Sequence, residues 1–382
     1  MSIAALLASA LALALDGDRP SARQAAVPRS ILLLIGAFLL ACLASVITSK
    51  NSALSAQAAA MLVPAALVGA LLFELQRRAG DELQKMLLIA LNVLSLLTSV
   101  LIIRASILYP ELAPDERLET IGSLALIVPN DLSLLVILLP FTLLGLKTSR
   151  SLTIKAVLVA SLLTTMVGIG MSGSRLCVLM AFFMLLLAAR DISGAFRVIP
   201  HSAFALALTF TALDLYQGGL LLPKFLNALT DNGRFAVWYA GSESWWQRPW
   251  LGVGQGQFEA VYQSEVARNA IPSWLTIDGR FVTWAHSLFI EALVERGVVG
   301  LLLLSAVLLA ILKTLRPTAV GELRPESAAV WQSYCLFLIA GALELTLQRN
   351  WVPVLLALYI AIALSQPYAR RSIDSVSKGH RQ

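Results

Sequence analysis

Charge is what this sequence has least of. Of its 382 residues only 14% are Asp, Glu, Lys or Arg, against 58% hydrophobic, where a soluble domain carries about 25% charged residues. So few charges cannot cover a globule of this size with polar groups. That excludes a soluble enzyme, a nucleic-acid-binding module and a disordered chain. Cysteine is scarcer: Cys42, Cys177 and Cys335 lie far apart, each inside an apolar run, which gives neither a disulfide framework nor a metal-ligand spacing. Histidine is limited to His201, His286 and His380. Metal chemistry has little to work with, and neither a metal nor a cofactor is expected.

What the sequence has instead is long apolar runs, and its mean hydropathy is +0.78. Crossing about 30 Å of hydrocarbon takes roughly 20 apolar residues. Runs of that kind fall at 31–49, 53–75, 84–109, 120–146, 152–171, 175–189, 198–214, 287–312, 328–347 and 351–366, with a shorter one at 2–15. In a bilayer only helices or closed barrels satisfy the backbone, and unbroken runs of this length are helical. The expected fold is all-α and polytopic, with eleven or twelve spans: helices over 1–214, one large outward loop over 215–285, helices again over 286–368 and a basic tail at 369–382.

The formal charge of +6 would suit a nucleic acid, but the basic residues sit in short connections and alternate from one to the next. Arg19, Arg23 and Arg29 follow the first run; Arg77, Arg78 and Lys85 follow the third. Lys147, Arg150 and Lys155 follow the fifth, Arg190 and Arg197 the seventh, and Lys313, Arg316 and Arg324 the ninth. The positive-inside rule puts this set and the tail in the cytoplasm, and the base-poor connections outside. Met1 is then outside as well. The first run has its arginines after it, the reverse of a signal peptide, so a further helix before Met1 is the expectation.

The long outward connection, about 215–285, holds six of the eight tryptophans: Trp238, Trp245, Trp246, Trp250, Trp274 and Trp284. Tryptophan suits the membrane interface and also packs on sugar faces. Interfacial anchoring is the expectation for most of them, with one or two lining a glycan groove. On the same side the charge pattern sets three ionisable candidates. Arg175 lies in a short turn after Ser-Gly-Ser; its plain alternative is a snorkelling anchor. Arg234 opens a predicted helix through Trp238 and Tyr239, capped by Asp231 or Asn232; its plain alternative is an ion pair with Asp231. His286 stands at the start of the ninth long run and is the one outward histidine, able to act as a base near neutral pH; a structural histidine is the alternative. Glu291, Glu295 and Arg296 bury charge in the outer part of that run, which is costly without a partner. Gly252, Gly254 and Gly256 space as Gly-x-Gly-x-Gly with no strand before them, so the dinucleotide reading fails; a tight loop, or backbone amides turned to an anion, remain. Two cations beside a base suit transfer from a diphosphate leaving group, since arginine holds phosphate oxygens through paired hydrogen bonds.

Four segments in order, Ser-Gly-Ser-Arg at 172–175, Gly-Arg-Phe-Ala-Val-Trp at 233–238, Arg-Pro-Trp-Leu-Gly-Val-Gly-Gln-Gly-Gln-Phe at 248–258 and the stretch 285–302 that begins Ala-His-Ser-Leu, resemble the O-antigen ligase and polymerase superfamily of bacterial envelope glycosyltransferases. The resemblance covers roughly 170–312. It implies a metal-independent, inverting transfer of a glycan from undecaprenyl diphosphate, in the bacterial inner membrane with the active site facing the periplasm. It also implies that Arg175 and Arg234 hold the diphosphate and His286 activates the acceptor hydroxyl. The acceptor is a lipid A core for a ligase, the preferred reading, or a lipid-linked glycan for a polymerase. Two departures stand out: Ser287 where the family often has Asn, and eleven runs where it tends to twelve. A secondary transporter is the alternative from another class. It would place its ionisable residues at midspan between repeated halves. Here no repeat is seen and midspan candidates are few, Asn92, Asn130 and Asp131 among them.

Overall fold

The computed structural model describes residues 29–79, 81–109, 133–171, 177, 180, 181, 184, 233–277, 282–316 and 325–379, with backbone alone at 76–79, 81–88, 170, 171, 325 and 366–379. The described residues are helices and connections without a strand. In chain order the helices are α1 (Arg29–Ile47), α2 (Ser52–Ala60), α3 (Leu62–Ala79), α4 (Asp81–Leu108), α5 (Ser133–Thr148), α6 (Leu152–Met171), α7 (Gly233–Gln247), α8 (Phe258–Ala267), α9 (Leu288–Leu315), α10 (Pro325–Leu343) and α11 (Trp351–Gly379). Among the described residues five stretches are long and apolar enough to cross a membrane: Arg29–Ile47, Ser52–Leu75, Ile89–Leu108, Leu152–Ile169 and Leu288–Leu315; two shorter apolar helices are Ser133–Thr148 and Trp351–Ser365. The chain is therefore a polytopic α-helical membrane protein. The apolar runs at 2–15 and 198–214, and most of 175–189, lie outside the described residues. The run 53–75 is two helices: α2 stops at Ala60, four residues before Pro64, whose ring in a continuous helix would clash with the Ala60 carbonyl.

The bundle is organised around α5. Its residues from Ser133 to Leu144 are all buried, as expected of a helix that is apolar all round. It packs on α10, α6 and α4, while α3 lies along α11 and α1 along α9. Lipid tails are as apolar as leucine, so packing and interhelical hydrogen bonds have to hold such helices together. Small residues let the backbones close. A Cβ on Gly69 would sit 2.9 Å from that of Ala357, and one on Gly168 would be 3.1 Å from Ser99. Ser95 and Thr165 meet at 3.3 Å, and Ser333 bonds both the Ile137 carbonyl (2.7 Å) and the Tyr359 hydroxyl (2.6 Å). Thr142 donates to the Asn92 side chain. That gives this midspan polar residue an interhelical partner. Asn130 and Asp131 fall outside the described residues.

The described part of the long connection is ordered around its own small core, where Ala236, Val237 and Ala240 of α7 meet Phe258 and Tyr262 of α8, Ile271, Leu275 and Val294. It is tied to the helix ends at one end of the bundle. Arg248 donates to the Thr48 carbonyl at 2.7 Å, Gln255 to that of Ala58 at 3.1 Å, and Gln257 to the Ser55 hydroxyl at 3.1 Å.

The ninth long run is not one continuous helix. Gly297 takes φ 67° and ψ −170° inside α9, a conformation open to glycine and strained for residues with a Cβ. An α-helix would pair the Val294 and Glu295 carbonyls with the amides of Val298 and Val299. Those carbonyls instead accept from Val253 (2.9 Å) and Gly254 (3.0 Å), and the Val298 and Val299 amides donate to Pro249 (2.8 Å) and Trp250 (3.3 Å). The glycine-rich loop is spliced into the helix, bond for bond. It reaches about 9 Å past the start of α9, at 1.5 Å per residue. Gly252 belongs to the same device, since a Cβ there would lie 2.4 Å from the Glu295 carbonyl carbon.

Candidate functional site

His286 sits immediately before α9, in a left-handed backbone conformation with φ 50°. Its neighbours hold it there. The Trp238 indole N–H donates to the Ala285 carbonyl at 2.8 Å. Ser287 is extended (φ −162°, ψ 121°) and caps α9, its hydroxyl accepting from the Ile290 amide at 3.4 Å. Serine and asparagine are near equals as N-caps, so the departure at this position keeps the local task. Trp284 approaches the imidazole edge-on with ring centroids 6.1 Å apart, and the Arg349 guanidinium lies 3.9 Å over the same indole.

The partner of His286 comes from 58 residues further on. Glu344, in the connection between α10 and α11, places Oε1 3.0 Å from His286 Nδ1 while Oε2 pairs with the Arg234 guanidinium. Arg234 also donates to the Leu343 carbonyl at 3.2 Å. Glu344 is 3% exposed, against 27% for His286 and 44% for Arg234. The acid is thus covered by the two groups it joins, and both of those open to the surroundings. An ionised carboxylate only accepts hydrogen bonds, so the proton of a neutral imidazole resides on Nδ1 and leaves Nε2 as the acceptor.

Two of the three residues singled out from sequence are therefore brought together, through an acid that sequence reading passed over. Arg234 does open a helix, α7, as expected; Asp231 and Asn232, like Arg175, lie outside the described residues. The glycine-rich loop presents few amides to a ligand. Those of Gly252, Val253, Gly254 and Gln257 bond within the protein, and those of Gly256 and Phe258 face the Glu295 carboxylate. The six tryptophans divide evenly. Trp246, Trp250 and Trp274 are exposed, as interfacial anchors are, while Trp238, Trp245 and Trp284 are engaged internally.

Below His286, Glu291, Glu295 and Arg296 are fully buried. Arg296 Nη2 lies 3.6 Å from Glu295 Oε2. Gln348 donates to Glu295 Oε1 at 2.9 Å, and Glu291 faces the Thr346 hydroxyl and the Leu347 amide without a hydrogen bond of good geometry.

A helical membrane protein with a histidine, a glutamate and an arginine joined at the end of a broken span is the class this geometry defines. Residues 132–305 match the family model described as O-antigen ligase. Over 162 residues the chain is 30% identical to the Exopolysaccharide production protein ExoQ of Rhizobium meliloti (strain 1021), a match covering 41% of this chain and 37% of that relative. The chain thus spans little more than a third of that relative's length. Both matches support a likeness to the O-antigen ligase and polymerase superfamily.

Proposed function

We propose that the protein is a membrane glycosyltransferase of the O-antigen ligase type, moving a glycan from undecaprenyl diphosphate to an acceptor hydroxyl at the periplasmic face of the inner membrane. The observation that carries this reading is the Glu344 carboxylate held between His286 Nδ1 and Arg234. The acid fixes the imidazole so that Nε2 faces outward as base. The acceptor oxygen attacks the anomeric carbon from the side opposite the diphosphate and inverts it. Its proton passes to His286 Nε2. The sugar–phosphate bond breaks, and its electron pair leaves with the diphosphate, whose added charge Arg234 and Arg175 stabilise. Every step uses side chains of this chain, so EDTA leaves the rate unchanged; strong inhibition would contradict the scheme.

The ligase reading has a lipid A core as acceptor, and the late position of the long loop favours it. The polymerase reading has a lipid-linked glycan as acceptor, and the similarity to a protein named for exopolysaccharide production favours that one. A deletion strain read on a glycan gel separates them. Loss of all polymer on the core with lipid-linked polymer retained means ligase. Single repeat units on the core mean polymerase. An unaltered pattern of every envelope glycan rejects both.

A further inference from the structure

Glu344 is useful only if its connection stays pressed against α9. Leu345, Thr346 and Leu347 are buried, but within the turn the bonds are local: Leu345 to the Ala340 carbonyl, and Gln348 and Arg349 back to Thr346. These shape the turn without tying it to His286. The hydrogen bond that ties the turn to α9 comes from Gln348, whose side-chain amide donates to Oε1 of Glu295 at 2.9 Å, beside the Glu291 carboxylate that faces Thr346 and Leu347. Glu295 is itself immobilised. Its backbone carbonyl accepts from Gly254, its carboxylate faces the Gly256 and Phe258 amides, and Arg296 neighbours its other oxygen. Glu295 lies two helical turns beyond Ser287 and Gln348 four residues beyond Glu344, so the bond joins the same two elements about 12 Å further along α9, at 1.5 Å per residue.

We propose that Gln348, bound to Glu295, is a positioning residue that sets Glu344 against His286. The proposal rests on the reading of His286 as base and Glu344 as its partner. It also gives the spliced loop a part in the site, because the loop holds the carboxylate that holds the turn.

Gln348→Met keeps much of the packing and removes the donor, which makes it the informative variant. In proteoliposomes supplied with lipid-linked glycan and acceptor, Gln348→Met should lower kcat about tenfold, as a small misplacement of a catalytic pair does, with both KM values unchanged within about twofold. Glu344→Gln should lower kcat about a hundredfold, within the range of acid–base contributions. The double variant should be no slower than Glu344→Gln alone, since the anchor has nothing left to place. A Gln348→Met loss that multiplies in full on Glu344→Gln, or a folded Gln348→Met at the full rate, overturns the proposal and leaves the base reading standing. Full rates for both Glu344→Gln and His286→Ala overturn the base reading and the proposal with it. A measurement without substrate separates the two further. Modification of His286 by diethylpyrocarbonate, read by peptide mass, should change in Gln348→Met to the same extent as in Glu344→Gln. A wild-type rate in Gln348→Met beside a changed rate in Glu344→Gln overturns the positioning role whatever reaction the protein performs.

Discussion

Before Gly297, α9 buries Glu291, Glu295 and Arg296; after it, the buried residues are Gly300 and the apolar Leu304, Val307, Leu308, Ile311 and Leu315. The second half follows the ordinary rule for a span, with Leu302 and Leu309 exposed and the buried apolar residues packed inside the bundle. The first half breaks that rule, since buried charge in a span is costly without partners. For Glu295 partners are supplied by two segments that are not themselves spans: the glycine-rich loop, with amides facing its carboxylate, and the α10–α11 turn, with Gln348. The difference between the halves therefore marks where polar structure is brought in from outside the bundle. His286 and Glu344 stand at that same end.

Substitutions along the two halves should differ in kind as well as size. The largest effect is expected from His286→Ala, which should reduce glycan transfer by about a thousandfold while the protein inserts normally; full laddering of the glycan would end its role as base. Next is Gly297→Ala. A Cβ there lies 2.2 Å from the Trp250 carbonyl oxygen, and the left-handed backbone adds its own strain, so a loss of about 3 kcal/mol of stability is expected. Thermal unfolding in detergent measures it, and a wild-type melting temperature would show that the loop can leave the break freely. Arg234→Ala is smaller, an increase of about tenfold in the donor KM; unchanged donor affinity would reject the diphosphate role. The smallest is Leu302→Ala in the second half, within about 0.5 kcal/mol of wild type and with normal transfer. A larger loss would mean that this face meets protein rather than lipid.

Much of this architecture is legible in the sequence, because hydropathy and bilayer thickness leave a long apolar run little choice but a helix. The runs 31–49, 152–171 and 351–366 begin within two residues of α1, α6 and α11. The break in α9 is harder to see. Gly297 sits in an apolar run, and its conformation is set by a loop more than 40 residues earlier, which no local pattern reports. The same holds for the site. His286 and Arg234 stand out as rare ionisable residues in recognisable motifs, whereas Glu344 lies inside the apolar run 328–347 with no motif about it. The one signal available was chemical: a lone carboxylate in the Leu-Glu-Leu-Thr-Leu stretch 343–347, too apolar a setting for an acid without a partner. The ion pair considered for Arg234 was sought nearby, at Asp231, and the acid the structure pairs with it comes from the far side of α9 in sequence.

The exchange of hydrogen bonds at Gly297 also bears on how the protein is made. A bilayer offers no water to backbone groups, and each one left open costs several kcal/mol. With Gly297 in its kinked conformation and the loop absent, α9 would carry two open carbonyls and two open amides near its break. The segment that closes those groups, 249–254, precedes α9 in the chain and is synthesised first. Chain order thus delivers the patch before the gap, and the kinked form of α9 is closed by backbone already made when it emerges.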